Sequence, residues 1–140
     1  MGIIAPLPAE RIEDLLATSL IGRIACATPE GRPYLVPMGY GYDGEAIYAM
    51  GFPGRKIALM RAQPLVSFEV DRGVAEDDWE SVVAEGTFEE LPGEEGRARV
   101  LRVLYGDGPY PEVVAGAVPF RIVLTAKHGR FEVPDPPVAR

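Results

Sequence analysis

Residues 34–50 read Tyr-Leu-Val-Pro-Met-Gly-Tyr-Gly-Tyr-Asp-Gly-Glu-Ala-Ile-Tyr-Ala-Met, and this stretch decides the fold. Aromatic and branched residues, which favour strands, stand on both sides of Asp43-Gly44. An Asp-Gly pair between such runs is among the strongest hairpin signals in a sequence. We therefore predict a strand over 34–42 and a return strand over 45–50.

The segments around this hairpin extend the β pattern. A strand over 23–28 and a turn at 29–32 precede it, so three consecutive strands are predicted to form a meander. Strands are also predicted over 65–70, 79–91 and 119–126, the last continuing over 127–133 beyond a bend, with a charged loop over 72–78. Helices are predicted over 8–18, 55–62 and 92–105, and residues 134–140 form a loose tail. Six mostly sequential strands favour a mainly β antiparallel barrel, built as a single domain over 1–140.

Charge and composition exclude several classes of protein. The 140 residues carry 14 Lys and Arg against 21 Asp and Glu, which gives a net charge of −7. Such a chain is repelled by nucleic acid and by anionic lipid. One cysteine and one histidine, Cys26 and His128, exclude a disulfide within the chain and a four-ligand Cys/His metal site. Neither a signal peptide nor a membrane-length apolar run is found, so we expect a cytoplasmic protein.

The segment Ile47-Tyr-Ala-Met-Gly-Phe-Pro-Gly-Arg-Lys56 carries the clearest chemical signal. A predicted strand ends, two glycines free the backbone, and a helix begins with two cations. A helix N-terminus offers unpaired N–H groups and a partial positive charge, so an anion such as a phosphate would complement Arg55 and Lys56. The alternative is a solvated basic turn, or ion pairs with nearby acids.

Seven segments in register resemble the pyridoxamine 5'-phosphate oxidase-like FMN-binding split-barrel family, in particular its short branch of nitroimidazole-resistance-type proteins. The segments that carry the resemblance are Gly22-Arg-Ile-Ala25, Pro33-Tyr-Leu-Val-Pro-Met38, Ile47-Tyr48, Gly54-Arg-Lys56, Pro64, Phe68-Glu-Val-Asp71 and Trp79-Glu-Ser-Val-Val-Ala-Glu-Gly86.

The resemblance implies a six-stranded antiparallel split barrel that forms a homodimer, with two FMN molecules in its interface. Carried over by position, Arg55 and Lys56 would hold the flavin phosphate. Pro37 and Met38 would lie along the isoalloxazine ring, with Val36 beside them. Tyr48 and Ala49 would face the ribityl chain or the ring edge, partly through backbone, and Ser81 would donate a hydrogen bond to the ring system. Without the resemblance, Val36 and Met38 are ordinary core residues and Ser81 is an outward-facing strand residue.

Two departures from the family pattern limit what is carried over. Met50 stands where nitroimidazole-resistance-type proteins have a histidine, which puts chemistry that depends on that histidine in doubt. No tryptophan follows Trp79, whereas pyridoxamine 5'-phosphate oxidases have a C-terminal segment with Arg and Trp. We therefore do not expect vitamin B6 oxidation.

Ordinary structural roles are also open to the other polar and aromatic candidates. Cys26 is expected to be an inert core thiol. His128 is expected at an exposed bend, with a haem ligand as its alternative because some relatives of this barrel bind haem. Trp79 and Tyr40 could pack against the flavin or lie buried in the dimer interface. The carboxylate pairs Asp77-Asp78 and Glu89-Glu90 lack metal-ligand spacing and are expected to be solvated.

The first functional hypothesis is an FMN-dependent oxidoreductase that acts on an unidentified small molecule. Its rivals are a flavin-binding module without turnover, a deazaflavin- or haem-binding protein on the same fold, and a structural dimer with an empty cleft.

Overall fold

The computed structural model describes residues 2–136, which form one antiparallel sheet flanked by helices. Its strands are β1 (Ile3–Pro6), β2 (Ile21–Cys26), β3 (Tyr34–Gly39), β4 (Gly41–Tyr42), β5 (Ala46–Gly51), β6 (Leu65–Ala75), β7 (Asp78–Glu90) and β8 (Val118–Val133). Its helices are α1 (Ala9–Thr18), α2 (Arg55–Ala62) and α3 (Gly93–Tyr105).

The sheet curls until its two edges meet. The strand order is β3-β2-β6-β7-β8-β5-β4, and β1 pairs with the end of β8. The edge strands β3 and β4 are separated in sequence by Tyr40 alone, so Gly39 and Gly41 lie within about 7.6 Å of each other. The N–H of Tyr40 donates to the carbonyl of Leu20 at 3.3 Å where the edges join. The predicted mainly β split barrel is confirmed.

Every second side chain along the strands points into the curled sheet, and these side chains form the core. On β6, Val66, Phe68 and Val70 are buried, whereas Ser67 and Glu69 face the other way and keep part of their surface. α1 presents buried Leu15 and Leu16 to the same core. Burial of such side chains contributes roughly 1.5–3 kcal/mol each, which makes this core the main source of stability.

The predicted meander is wrong in its pairing. β3 pairs with β2, but β5 pairs with β4 on one side and with β8 on the other. The predicted strand over 34–42 breaks at Tyr40, where the chain passes from one edge of the sheet to the other. The hairpin at Asp43-Gly44 is confirmed, because β4 and β5 flank it and Gly44 has the positive φ of +97° that it needs.

Three other strand predictions are corrected, and eight strands replace the six expected. The charged loop over 72–78 is mostly strand, since β6 pairs with β7 as far as Ala75 and Asp78, across a bulge. β1 was not predicted; its apolar pattern is too short to show a period. β8 continues to Val133 without the expected bend, and a register shift near Thr125 absorbs the irregularity.

The helices agree closely with the sequence prediction. α2 has the predicted bounds, and α1 and α3 each begin one residue later than expected. Residues 134–136 are exposed and have no regular structure, and the rest of the predicted tail lies outside the described residues. Among residues 2–136, no helix combines the length and the apolar character needed to cross a membrane.

Candidate functional site

The connection from β5 to α2 brings the chain from the core to the surface in the three residues 52–54. A Cβ at Gly51 would lie 2.8 Å from Cδ1 of Ile57 and 3.1 Å from the ring of Phe120. Such contacts are too short for ordinary packing, so glycine is what allows α2 to fold back against the end of β5. Phe52, Pro53 and Gly54 then lie exposed before the helix begins.

The N-terminus of α2 is uncapped and carries no acidic residue in its first turn. Gly54 is the N-cap residue, has extended backbone, and offers no side chain to the first-turn N–H groups. These N–H groups have no partner within the helix and carry its partial positive charge. Since Arg55 and Lys56 add two cations here, the site is built for an anion rather than for another cation.

Arg55 is the exposed member of the pair. Its guanidinium lies 5.1 Å from the ring centroid of Tyr34 and forms an ion pair with Glu30 at 3.3 Å. An exposed ion pair of this kind contributes only about 0–1 kcal/mol. An incoming anion can therefore displace Glu30 at little cost.

Lys56 is half-buried, and its Nζ lies 6.0 Å from the ring centroid of Phe120. Burial lowers the pKa of Lys56, and neighbouring Cys26 acts weakly in the opposite direction. Within residues 2–136 no carboxylate forms an ion pair with Lys56. A half-buried ammonium without a counter-charge is unfavourable until an anion joins it.

A cleft of about 440 Å³ opens beside the same connection. One wall is the end of β5 and the residues after it, the opposite wall is α3, and the segment 111–117 closes one side. Its lining is mainly apolar and includes Leu20, Gly39, Tyr40, Met50, Gly51, Phe52, Leu101, Leu104, Tyr105, Glu112 and Val114. The volume and the apolar walls are those of a small-molecule or cofactor site.

Tyr40 forms the fixed inner edge of this cleft. Its hydroxyl donates to the carbonyl of Leu16 at 2.6 Å, and its ring meets Phe68 edge to face at 4.8 Å between centroids. Burial raises the pKa of Tyr40 to about 12. The phenol is therefore neutral at physiological pH and serves to hold the edge of the cleft.

Arg55 and Lys56 are adjacent in the first turn of α2, with Arg55 over the ring of Tyr34 and Lys56 over that of Phe120, and the structure buries three of the other predicted cofactor residues. Met38 and Ala49 belong to the main core, and Tyr48 packs in a smaller cluster with Ala46 and Val100. A ligand contact from these three residues would be made through their backbone. Their assignment to the cofactor stays a prediction.

Pro37 and Ser81 lie on the outer face of the sheet, which is the face opposite the core. Pro37 is exposed on β3, and Ser81 is half-buried on β7 between Asp71 and Arg130. Three strand spacings separate their strands, or about 14 Å, and neither residue lines the cleft. Within one chain they do not join Arg55 and Lys56.

Sequence reasoning missed the far wall of the cleft. Leu101, Leu104 and Tyr105 were expected only as the apolar face of a helix, and 111–117 only as part of a connection. Large apolar residues in a Gly/Pro-rich stretch, such as Tyr110 and Val114, were the available signal in the sequence.

The remaining candidates carry no site of their own. Cys26 is buried as expected, and burial raises its pKa. His128 is exposed, but on β8 rather than at a bend. Glu89 and Glu90 form ion pairs with Arg121 and Arg61. In the described part of the chain no group of three or more metal-ligating side chains comes together.

Sequence comparison identifies the family. The profile described as pyridoxamine 5'-phosphate oxidase matches residues 8–130. The chain belongs to this family. An uncharacterized protein of Rhizobium meliloti is 34% identical over 87 residues, which cover 62% of this chain and 57% of that relative. The match thus spans little more than half of that relative's length.

Solved structures agree with this family assignment. A FAD-binding protein from Mesorhizobium loti is 38% identical, with a TM-score of 0.76 over 91% of this chain and 97% of that one. A candidate 5-nitroimidazole antibiotic resistance protein from Bacteroides thetaiotaomicron is 20% identical, with a TM-score of 0.79 over 93% and 88% of the two chains. The second likeness shows the shared fold, and the profile match over residues 8–130 confirms the predicted family resemblance.

Proposed function

We propose that this member of the pyridoxamine 5'-phosphate oxidase family binds FMN and acts as a flavin-dependent oxidoreductase on a small molecule. In this proposal Arg55, Lys56 and the N–H groups of α2 hold the phosphate, and the neighbouring cleft takes the ring system. The working form is a cytoplasmic homodimer with the cofactor at its interface.

One observation carries the proposal: within residues 2–136 Lys56 is half-buried without a paired carboxylate, in the first turn of a helix whose N-terminus is uncapped, and the segment that leads into this helix, Gly51 and Phe52, lines the cleft. The ammonium of Lys56 lacks a counter-charge, and the first N–H groups of α2 lack acceptors. The oxygens of a single phosphate group can supply both. The donors present therefore fit a phosphate monoester. A neutral ligand would leave the ammonium of Lys56 without a counter-charge.

The residues of the cleft fit a flat, mostly apolar ring. Leu101, Leu104 and Phe52 offer apolar surface that excludes water, and Tyr40 holds the inner edge in place. Bound FMN supplies the hydride and electron transfer, so the chain needs only to orient it and keep the site dry. Met50 half-faces the same cleft and donates no proton, so this chain offers no acid at that position.

FAD is the close chemical alternative, because it shares the isoalloxazine ring and the first phosphate with FMN. The Mesorhizobium loti relative is named as FAD-binding and aligns with nearly the whole of this chain. This similarity supports a flavin and leaves the choice between the two to a direct comparison. The test below therefore uses both compounds.

The first experiment is an absorption spectrum of the purified protein, before and after incubation with FMN or FAD and desalting. We expect flavin bands that survive desalting, and their loss in the Arg55→Ala, Lys56→Ala double variant. Arg97→Ala removes an exposed cation on α3 and is the matched control. A protein that releases both flavins completely, or a double variant that retains them, would refute the proposal. A Soret band would instead identify haem.

A flavin-binding module without turnover is the second candidate. The observation that favours it is the lining of the cleft. Among the described residues that line it, Glu112 is the one carboxylate, and none is Lys, Arg or His. Oxidation of NADH or NADPH by the flavin-loaded protein distinguishes the two. Turnover above that of free flavin supports the oxidoreductase, and its absence with every acceptor supports the module.

A further inference from the structure

Two aromatic side chains stand on opposite walls of the cleft. Phe52 follows β5 directly and is 68% exposed, and Tyr105 ends α3 and is 47% exposed. Neither ring belongs to either of the two core clusters of the described chain. Both rings therefore keep aromatic surface that a molecule between the walls can contact.

The position of Tyr105 is fixed by a residue that does not line the cleft. The ring centroid of Tyr110 lies 6.5 Å from that of Tyr105, and the Tyr110 hydroxyl donates to the carbonyl of Gly106 at 2.7 Å. These contacts tie the segment after α3 back to the end of the helix. The aromatic wall is thus formed before a ligand enters, which lowers the cost of ordering it on binding.

A single carboxylate stands on the side of the cleft that the segment 111–117 closes. Glu112 belongs to this segment, and no other described side chain that lines the cleft carries a charge. Within residues 2–136 no Lys or Arg forms an ion pair with Glu112. Arg55 and Lys56 do not line the cleft, and in the proposed function they face the phosphate. The cleft therefore holds one negative charge without a counter-charge.

The polar groups of the cleft favour a cation over an anion. The hydroxyl of Tyr40 already donates to the carbonyl of Leu16, so among the described lining residues the hydroxyl of Tyr105 is the one side-chain donor left. A cation gains from the faces of aromatic rings and from a carboxylate, whereas an anion is repelled by the carboxylate. The net charge of −7 on the whole chain acts in the same direction.

We propose that the small molecule on which this protein acts is an organic cation, an ammonium group carried on an apolar body. The inference rests on the proposed function and names the substrate class of that site. The ammonium group lies between Phe52 and Tyr105, and Glu112 supplies its counter-charge. The apolar body lies against Leu101 and Leu104, next to the flavin ring.

Benzylammonium and benzyl alcohol are the probes that test the inference, because they have nearly the same shape and differ in charge. By titration calorimetry of the FMN-loaded protein at neutral pH, we expect benzylammonium to bind about tenfold more tightly than benzyl alcohol. Glu112→Gln keeps the size of the side chain and removes its charge. This variant should bind benzylammonium about fivefold more weakly and benzyl alcohol as before. Glu76→Gln, in the exposed turn between β6 and β7, is the matched control and should change neither affinity.

A second variant separates the aromatic contact from a general attraction by negative charge. Phe52→Leu keeps an apolar side chain at an exposed position and removes the ring, so we expect the preference for benzylammonium to fall about threefold. A preference that is unchanged in both Phe52→Leu and Glu112→Gln would overturn the inference. The same holds if the wild type binds both probes equally or binds neither, or if Glu76→Gln loses as much affinity as Glu112→Gln.

Flavin retention, recorded on the same samples, tells the failure of this inference from that of the proposed function. A wild-type protein that keeps FMN and does not distinguish the probes overturns this inference alone. A protein that releases FMN and still prefers benzylammonium through Glu112 overturns flavin binding alone. If Glu112→Gln weakens FMN retention and leaves the probe preference intact, the carboxylate serves the flavin and the inference is overturned.

Discussion

Replacing Lys56 by Met separates binding from stability at the candidate phosphate site. The substitution keeps a long apolar side chain and removes only the half-buried ammonium. A hydrogen bond from a charged donor contributes about 1.5–3 kcal/mol, so we expect FMN affinity to fall by about 10- to 100-fold. The free energy of unfolding without ligand should not fall, because burial already disfavours the charged form of Lys56 and lowers its pKa.

The assay is quenching of flavin fluorescence in a titration at neutral pH, together with urea unfolding of the ligand-free protein. Arg97→Met provides the control, since Arg97 is exposed on α3 and away from the cleft. Riboflavin, which lacks the phosphate, should bind the wild type and the Lys56→Met variant equally. Equal FMN affinity for both proteins, or weaker binding that merely accompanies lower stability, would refute the reasoning.

Three further changes have expected outcomes. Tyr40→Phe removes the buried hydrogen bond to the Leu16 carbonyl and should cost about 1–3 kcal/mol in urea unfolding, with an intact far-UV spectrum; no loss would contradict the geometry. Gly51→Ala places a methyl group against Ile57 and should cost about 1–3 kcal/mol while weakening FMN binding through displacement of α2. In dilute, monomeric protein, Glu69→Gln should raise the melting temperature more at pH 8 than at pH 5. Burial raises the pKa of Glu69 on folding from 4.5 to about 7, so stability is lost progressively as the pH rises between these two values, and the loss is complete above the higher one. An equal effect at both pH values would show that Glu69 titrates normally.

The strands were predictable from local pattern, but their partners were not. The Asp43-Gly44 hairpin and the bounds of α2 follow from turn residues, from a proline after the helix and from the two cations that begin it. Pairing of β5 with β8 joins residues between 67 (Gly51 and Val118) and 77 (Ala46 and Val123) positions apart, and no local period records such a contact. β1 is four residues long and gains its place only by pairing with β8.

The candidate site was predictable only in part for a similar reason. Arg55 and Lys56 carry a local signal, because cations at a helix start require a compensating anion. The cleft wall on α3 is formed by residues whose apolar spacing also fits an ordinary buried helix face. Burial of Tyr48 and Met38 depends on which side of each strand faces the core, and a pattern rich in apolar residues on both sides does not settle that.

The chain itself joins the two edges of the barrel, because Tyr40 alone connects Gly39 at the end of β3 to Gly41 at the start of β4. A covalent link here takes the place of a ladder of hydrogen bonds. A hydrogen-bonded seam can slip and re-form, but a link of one residue fixes the distance between the two edges. An insertion here would release the curl, whereas an insertion in the turn at 76–77 would only lengthen a hairpin. Among related chains, lengths should therefore vary freely at that hairpin and hardly at all at this residue.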